Sequence, residues 1–130
     1  MELFRAVLFV KDMEHMSRFY SEALAMTPTG EASEDWQVLA SGSVELALHG
    51  IPAPWRDEIV ISDPPEVREG APTKLVFYVP DLDTAEAQLV NAGAVMLGGG
   101  NANPADGPVI RLDFADPEGN VLQVTSSRND

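Results

Sequence analysis

The sequence contains no cysteine. That absence removes disulfide staples, thiolate metal sites and cysteine nucleophiles together. Histidine is almost as scarce, with His15 and His49 the only two. Basic residues are few: 8 Lys and Arg stand against 21 Asp and Glu, a formal net charge of −13. Phosphate backbones and anionic lipid surfaces repel such a chain, so neither nucleic acid nor membrane is expected as a partner. No stretch reaches the ~20 apolar residues of a membrane-crossing helix. The opening Met1-Glu2-Leu3-Phe4-Arg5 lacks a charged region followed by an apolar run, so a cytoplasmic location is expected.

What is present reads as one globular domain, since 130 residues with 45% hydrophobic content can bury a core. Its organisation emerges from comparing the two ends of the chain. Leu3 to Val10 is apolar and β-prone and leads to Lys11-Asp12; Lys74 to Val79 leads likewise to Pro80-Asp81. Both aspartates stand where a helix N-cap belongs, offering a side-chain oxygen to the free backbone N–H groups of the first turn. Met13, Met16, Tyr20 and Ala23 follow the first; Leu82, Ala85, Leu89 and Ala92 follow the second. Each set has the spacing of one buried helical face, and every pair is 69 residues apart. A whole strand, cap and helix repeating in one register implies an internal duplication.

Further strands are expected at Trp36 to Ala40 and Ser43 to His49 in the first half. In the second they are expected at Ala94 to Leu97, Pro108 to Phe114 and Val121 to Thr125. Asp116-Pro117-Glu118-Gly119-Asn120 supplies the turn before the last strand. Module 1 then spans about 1–50 and module 2 about 73–127, with a connecting loop of about 50–72 that holds five prolines and Trp55. A second irregular stretch runs from Gly98 to Gly107. Loops of this length usually carry function or are disordered, and either stretch could cover a binding site. Gly98-Gly99-Gly100 lacks the lysine and helix context of a phosphate-binding loop and reads as flexible chain.

The run Val7-Leu8-Phe9-Val10-Lys11-Asp12, then Arg18-Phe19-Tyr20 and Leu24-Ala25-Met26, resembles the opening of the vicinal oxygen chelate superfamily. That group includes glyoxalase I, bleomycin-resistance and fosfomycin-resistance proteins and extradiol dioxygenases. Asp116 to Val124 resembles its last turn and strand. The resemblance implies an α+β fold of two βαβββ modules whose curved mixed sheets surround a ligand cleft, and it implies a homodimer. Ala25 departs from the pattern, which usually has glycine there, and points to a different exit from the first helix.

Members of this superfamily that use a metal hold one divalent ion with four side chains from the inner sheet faces. Counting back seven from Asp12 and Asp81 brings Arg5 and Lys74 to the first and third positions, and the resemblance brings Glu45 and Gln123 to the second and fourth. Only Glu45 is an ordinary ligand. Arginine has no acceptor, lysine has no lone pair until deprotonated, and a neutral amide is a poor replacement for a carboxylate. No metal and no other cofactor is therefore expected. His49 lies four residues beyond Glu45 on one strand, roughly 13 Å away, so the two do not chelate one ion.

Strand alternation assigns a lining. Arg5 shares a face with Val7 and Phe9, Glu45 with Ala47 and His49, Lys74 with Val76 and Tyr78, and Gln123 with Val121 and Thr125. Arg111 and Asp113 turn either to this cleft or to solvent. Such a face suits a drug-sized ligand, and metal-independent binding or sequestration of a small molecule is the expected function. The competing reading is a metal-free isomerase, lyase or related enzyme. There Lys74 would act as base, if burial and Arg5 disfavoured its ammonium, while Glu45 or Tyr78 moved a second proton. A plain alternative to both is an internal salt-bridge cluster of Arg5, Glu45 and Lys74, because buried charges must be paired. An exposed Trp55 is the one feature that would suit a protein-partner module.

Overall fold

The computed structural model describes residues 2–68, 70, 73–99 and 108–127. The chain divides into two compact units, Met1–Val60 and Ile61–Asp130, so the segment between the modules is shared between them. Each unit repeats one plan. The first contains β1 (Arg5–Val10), α1 (Met13–Arg18), a π-helical turn (Phe19–Ala23), β2 (Thr27–Ser33), β3 (Trp36–Ser41), β4 (Val44–Gly50) and a four-residue helix α2 (Trp55–Glu58). The second contains β5 (Lys74–Tyr78), α3 (Leu82–Asn91), β6 (Val95–Gly99), β7 (Arg111–Ala115) and β8 (Val121–Thr125). The sheets are open and four-stranded, ordered β1-β4-β3-β2 and β5-β8-β7-β6. In each, the first pair (β1 with β4, β5 with β8) is parallel and the others are antiparallel. No described helix is long and apolar enough to cross a membrane.

Both expected caps are made. Asp12 Oδ1 accepts from the His15 backbone N–H at 3.0 Å, and Asp81 Oδ1 accepts from that of Thr84 at 2.9 Å. Behind them α1 packs on β4, and α3 packs on β6, β7 and β8. Met16, Tyr20, Leu46 and Leu48 are buried in the first unit, Ala85, Leu89, Leu122 and Val124 in the second.

The duplicated register is not uniform. Met16, Phe19, Tyr20 and Ala23 have the spacing of one face of a regular helix, yet the helix ends in a π turn over Phe19–Ala23. The π turn holds Phe19 and Tyr20 buried, their rings edge to face with centroids 5.0 Å apart. It also absorbs one residue. The chain leaves the first helix through Met26 N–H bonded to Tyr20 O, and the second through Ala94 N–H bonded to Leu89 O. Tyr20 and Leu89 are 69 apart, whereas Met26 and Ala94 are 68 apart. Ala25 thereby takes the place of Gly93, and both have positive φ, 54° and 103°. A Cβ in the left-handed region costs about 1–2 kcal/mol. Ala25→Gly should therefore raise stability by roughly 1 kcal/mol in chemical denaturation, and a variant less stable than the parent would contradict this strain.

Three expectations about strands are corrected. Thr27–Ser33 forms β2, which was not anticipated: it is exposed throughout and carries Pro28 and Gly30, so no apolar alternation marks it. The strand expected at Pro108–Phe114 runs instead from Arg111 to Ala115, with Ile110 O just before it accepting from Ser126 N–H at 3.0 Å. Gly98 and Gly99 end β6 instead of opening a flexible loop. Gly98, at φ 152°, occupies a register shift in the ladder, and a Cβ on Gly99 would stand 2.4 Å from Arg111 O. The rest of the Gly98–Gly107 stretch, from residue 100 onward, lies outside the described residues.

The 116–120 turn is built around a buried carboxylate. Asp116 is inaccessible to solvent; its Oδ1 accepts from the backbone N–H groups of Glu118 and Asn120, each at 2.9 Å. The segment before β5 fastens onto this turn. Arg68 N–H donates to Gly119 O at 3.0 Å, and the Arg68 guanidinium donates to the carbonyl and carboxylate of the nearly buried Glu118 at 2.9 and 3.1 Å.

Candidate functional site

Register sorts the candidate residues of the first unit into rows running across β1, β4 and β3. Arg5, Glu45 and Ala40 form one, Val7, Ala47 and Val38 the next, and Phe9, His49 and Trp36 the third. The third row is an aromatic wall. The His49 ring lies 5.3 Å from Phe9 and 5.6 Å from Trp36 between centroids. Val7 and Phe9 are about half exposed, while Ala47 and Val38 are buried. Ala47 thus belongs to the floor of the face and does not offer itself as a ligand contact.

Arg5 ties the rows together. Its Nε and Nη2 both donate to Glu45 Oε1, at 3.0 and 2.8 Å, and Nη2 also reaches Glu31 Oε2 at 3.3 Å. Its guanidinium carbon is 5.3 Å from the centre of the Phe4 ring and 5.6 Å from that of Trp36. Arg5 and Trp36 together therefore bridge the Val7–Ala47–Val38 row, in which Ala47 and Val38 are buried. Trp36 Nε1 in turn donates to Glu31 Oε1 at 3.1 Å.

Neither Glu31 nor Trp36 was anticipated in the site. Glu31 belongs to the strand that sequence pattern missed. The bulge of β2 aims it: Gly30 has φ 89°, and the Thr29 hydroxyl donates to Val38 O at 3.0 Å while accepting from Glu31 N–H at 3.2 Å. Such bulges re-aim side chains. Trp36 was read as a strand residue, but only its pairing with His49 assigns it to this face.

The second unit repeats the rows with different chemistry. Lys74, Val121 and Ala115 form the first, Val76, Gln123 and Asp113 the second, Tyr78, Thr125 and Arg111 the third. Lys74 Nζ stands 3.7 Å from Asp113 Oδ1, and the Gln123 amide donates to that same oxygen at 2.9 Å. Asp113 is thus the acidic residue of this face. The burial that a lysine base would need is lacking, because the Lys74 side chain is 45% exposed and stands beside a carboxylate. Val76 and Tyr78 are about half exposed. Arg5, Val7 and Phe9 thus correspond to Lys74, Val76 and Tyr78 at the 69-residue offset. β6, Val95–Gly99, contains no carboxylate, so the second unit has no equivalent of Glu31.

The donors at the four superfamily positions do not suit a divalent ion. Arg5 and Lys74 bring positive charge and no lone pair, Glu45 serves as the counter-ion of Arg5, and the Gln123 amide is engaged with Asp113. Among the described residues, no three of His, Asp and Glu come together as ligands for an ion.

A family model described as a glyoxalase-like domain matches residues 5–125. Among solved structures, a glyoxalase/bleomycin resistance protein/dioxygenase family enzyme from Burkholderia phytofirmans is 18% identical with a TM-score of 0.74, over 95% of this chain and 97% of that one. A protein from the mobile metagenome of V. Pseudocholerae is 26% identical with a TM-score of 0.63, over 96% and 93%. The fosfomycin resistance protein FosX of Mesorhizobium loti is 13% identical with a TM-score of 0.68, over 98% and 92%. No curated protein matches the sequence. The family match spans both units, and the fold of these structures agrees with it: the chain belongs to the glyoxalase-like domain family of the vicinal oxygen chelate superfamily.

Proposed function

We propose that this protein binds an organic small molecule on the sheet faces carrying Arg5 and Lys74, and that it does so without a divalent metal. The observation that carries this reading is the double hydrogen bond from Arg5 to Glu45 Oε1. It engages the one residue of the four that would ordinarily ligate an ion, and it leaves a cation beside it. In the first unit half-exposed Val7 and Phe9 offer apolar contact and Arg5, Glu45 and His49 polar groups; in the second, Val76 and Tyr78 offer the apolar contact and Lys74, Arg111 and Gln123 the polar groups. Sequestration of a drug or metabolite by a cytoplasmic homodimer fits this chemistry. The alternative of a metal-free isomerase or lyase has less support: Lys74 is exposed beside Asp113, and Glu45 is held by Arg5.

A thermal-shift screen against Mn(II), Ni(II), Zn(II) and a panel of cationic and anionic organic compounds tests the proposal. A compound at ~100 times its dissociation constant adds about 2.7 kcal/mol, a shift of several degrees. Metals should leave the melting temperature unchanged while at least one organic compound raises it. A metal-induced rise that disappears in Glu45→Ala would overturn the metal-free reading.

A further inference from the structure

The surroundings of Arg5 have the composition of a receptor for an organic cation. Two carboxylates, Glu45 and Glu31, accept hydrogen bonds from the guanidinium, and two rings, Phe4 and Trp36, lie within the distance at which an aromatic face attracts a cation. Glu31 also fixes the Trp36 indole through its other oxygen, so one wall of the receptor is oriented independently of Arg5. The carboxylates exceed the guanidinium by one negative charge. Phe4 is 55% exposed and the Glu31 side chain 57%, so the receptor is open to solvent on their side.

We propose that the Arg5 guanidinium is the resident occupant of an organic-cation site formed by Glu45, Glu31, Phe4 and Trp36, and that a ligand carrying a guanidinium or amidinium group binds by taking its place. Arg5 is suited to leave. Its side chain is 24% exposed, and its partners are the same groups that a planar, forked donor on a ligand would engage. Displacement also uncovers the row that Arg5 and Trp36 bridge, adding apolar contact for the body of the ligand. This inference rests on the small-molecule reading above and names the ligand class for the first-unit face. It is separable from that reading, because the receptor can be probed with Arg5 removed.

Benzamidine is the probe, with benzamide as its uncharged counterpart of the same shape. In Arg5→Ala, calorimetric titration should give benzamidine an affinity at least tenfold above that of benzamide and above that of benzamidine for the unmutated protein. Glu45→Gln added to Arg5→Ala should remove this preference. Equal affinities for the two probes in Arg5→Ala, or a preference that survives Glu45→Gln, would overturn the proposal. The unmutated protein supplies a second measurement should Arg5→Ala not fold. The Arg5 Nε–H resonance, assigned by its loss in Arg5→Lys, should shift on titration with benzamidine and not with benzamide. An unmoved resonance at saturating benzamidine would equally overturn the idea. If the ligand screen yields no organic binder while Arg5→Ala still selects benzamidine, the wider functional reading fails and the receptor stands.

Discussion

Gly119→Ala should destabilise the protein by about 4 kcal/mol and lower its melting temperature by roughly 15 °C. Two causes combine. Gly119 has φ 86°, where a Cβ costs about 1–2 kcal/mol. That Cβ would also stand 2.2 Å from Glu66 O, so the 61–68 segment must move. Moving it breaks the bond from Arg68 N–H to Gly119 O and withdraws the guanidinium from Glu118, whose side chain is 4% exposed. Losing a cation from a nearly buried carboxylate is costly, because neither water nor another charge readily replaces it. Denaturation of Gly119→Ala beside the parent measures the sum. A loss no larger than the backbone cost of about 1–2 kcal/mol would mean that the segment does not rest on the turn in solution.

Trp36→Ala should weaken binding of the compound with the largest shift in the ligand screen by about 30-fold, corresponding to ~2 kcal/mol. Trp36 closes the aromatic row beyond His49 and is held by Glu31, so it forms a fixed wall. Oriented aromatic side chains dominate binding energy because they bring large contact area and lose little freedom. Calorimetric titration gives the change directly. An affinity within threefold of the parent would remove Trp36 from the site.

Much of this fold was legible because it is written in local chemistry. The two N-cap aspartates, the helical spacing behind them and the strand Val121–Thr125 stand in the structure where the residues place them. The π turn was not legible, because Met13, Met16, Phe19, Tyr20 and Ala23 all fit an ordinary helix; the extra residue shows only where the chain leaves it, at the bond from Met26 N–H to Tyr20 O. Strand β2 escaped because an exposed edge strand has no apolar side to mark it. Its omission concealed Glu31, and with it the reason that Trp36 and Arg5 come together. Pairing of Arg5 with Glu45 could be anticipated because both fall on the same face. Pairing of Lys74 with Asp113 depends on the β7–β8 register, which the spacing of Arg111 and Asp113 left open.

The interrupted ladders of β2 and β6 also affect how copies of this protein meet one another. Each is the last strand of its sheet, the place where an unpaired row of N–H and C=O groups invites another chain to add on. In β2 the ladder breaks between Pro28 and Ala32, and in β6 between Met96 and Gly98, with a positive-φ glycine, Gly30 or Gly98, at each break. A bent edge cannot serve as a straight template. Both halves thus carry the same safeguard against fibrous, strand-by-strand aggregation, a property that would matter most when the protein is abundant.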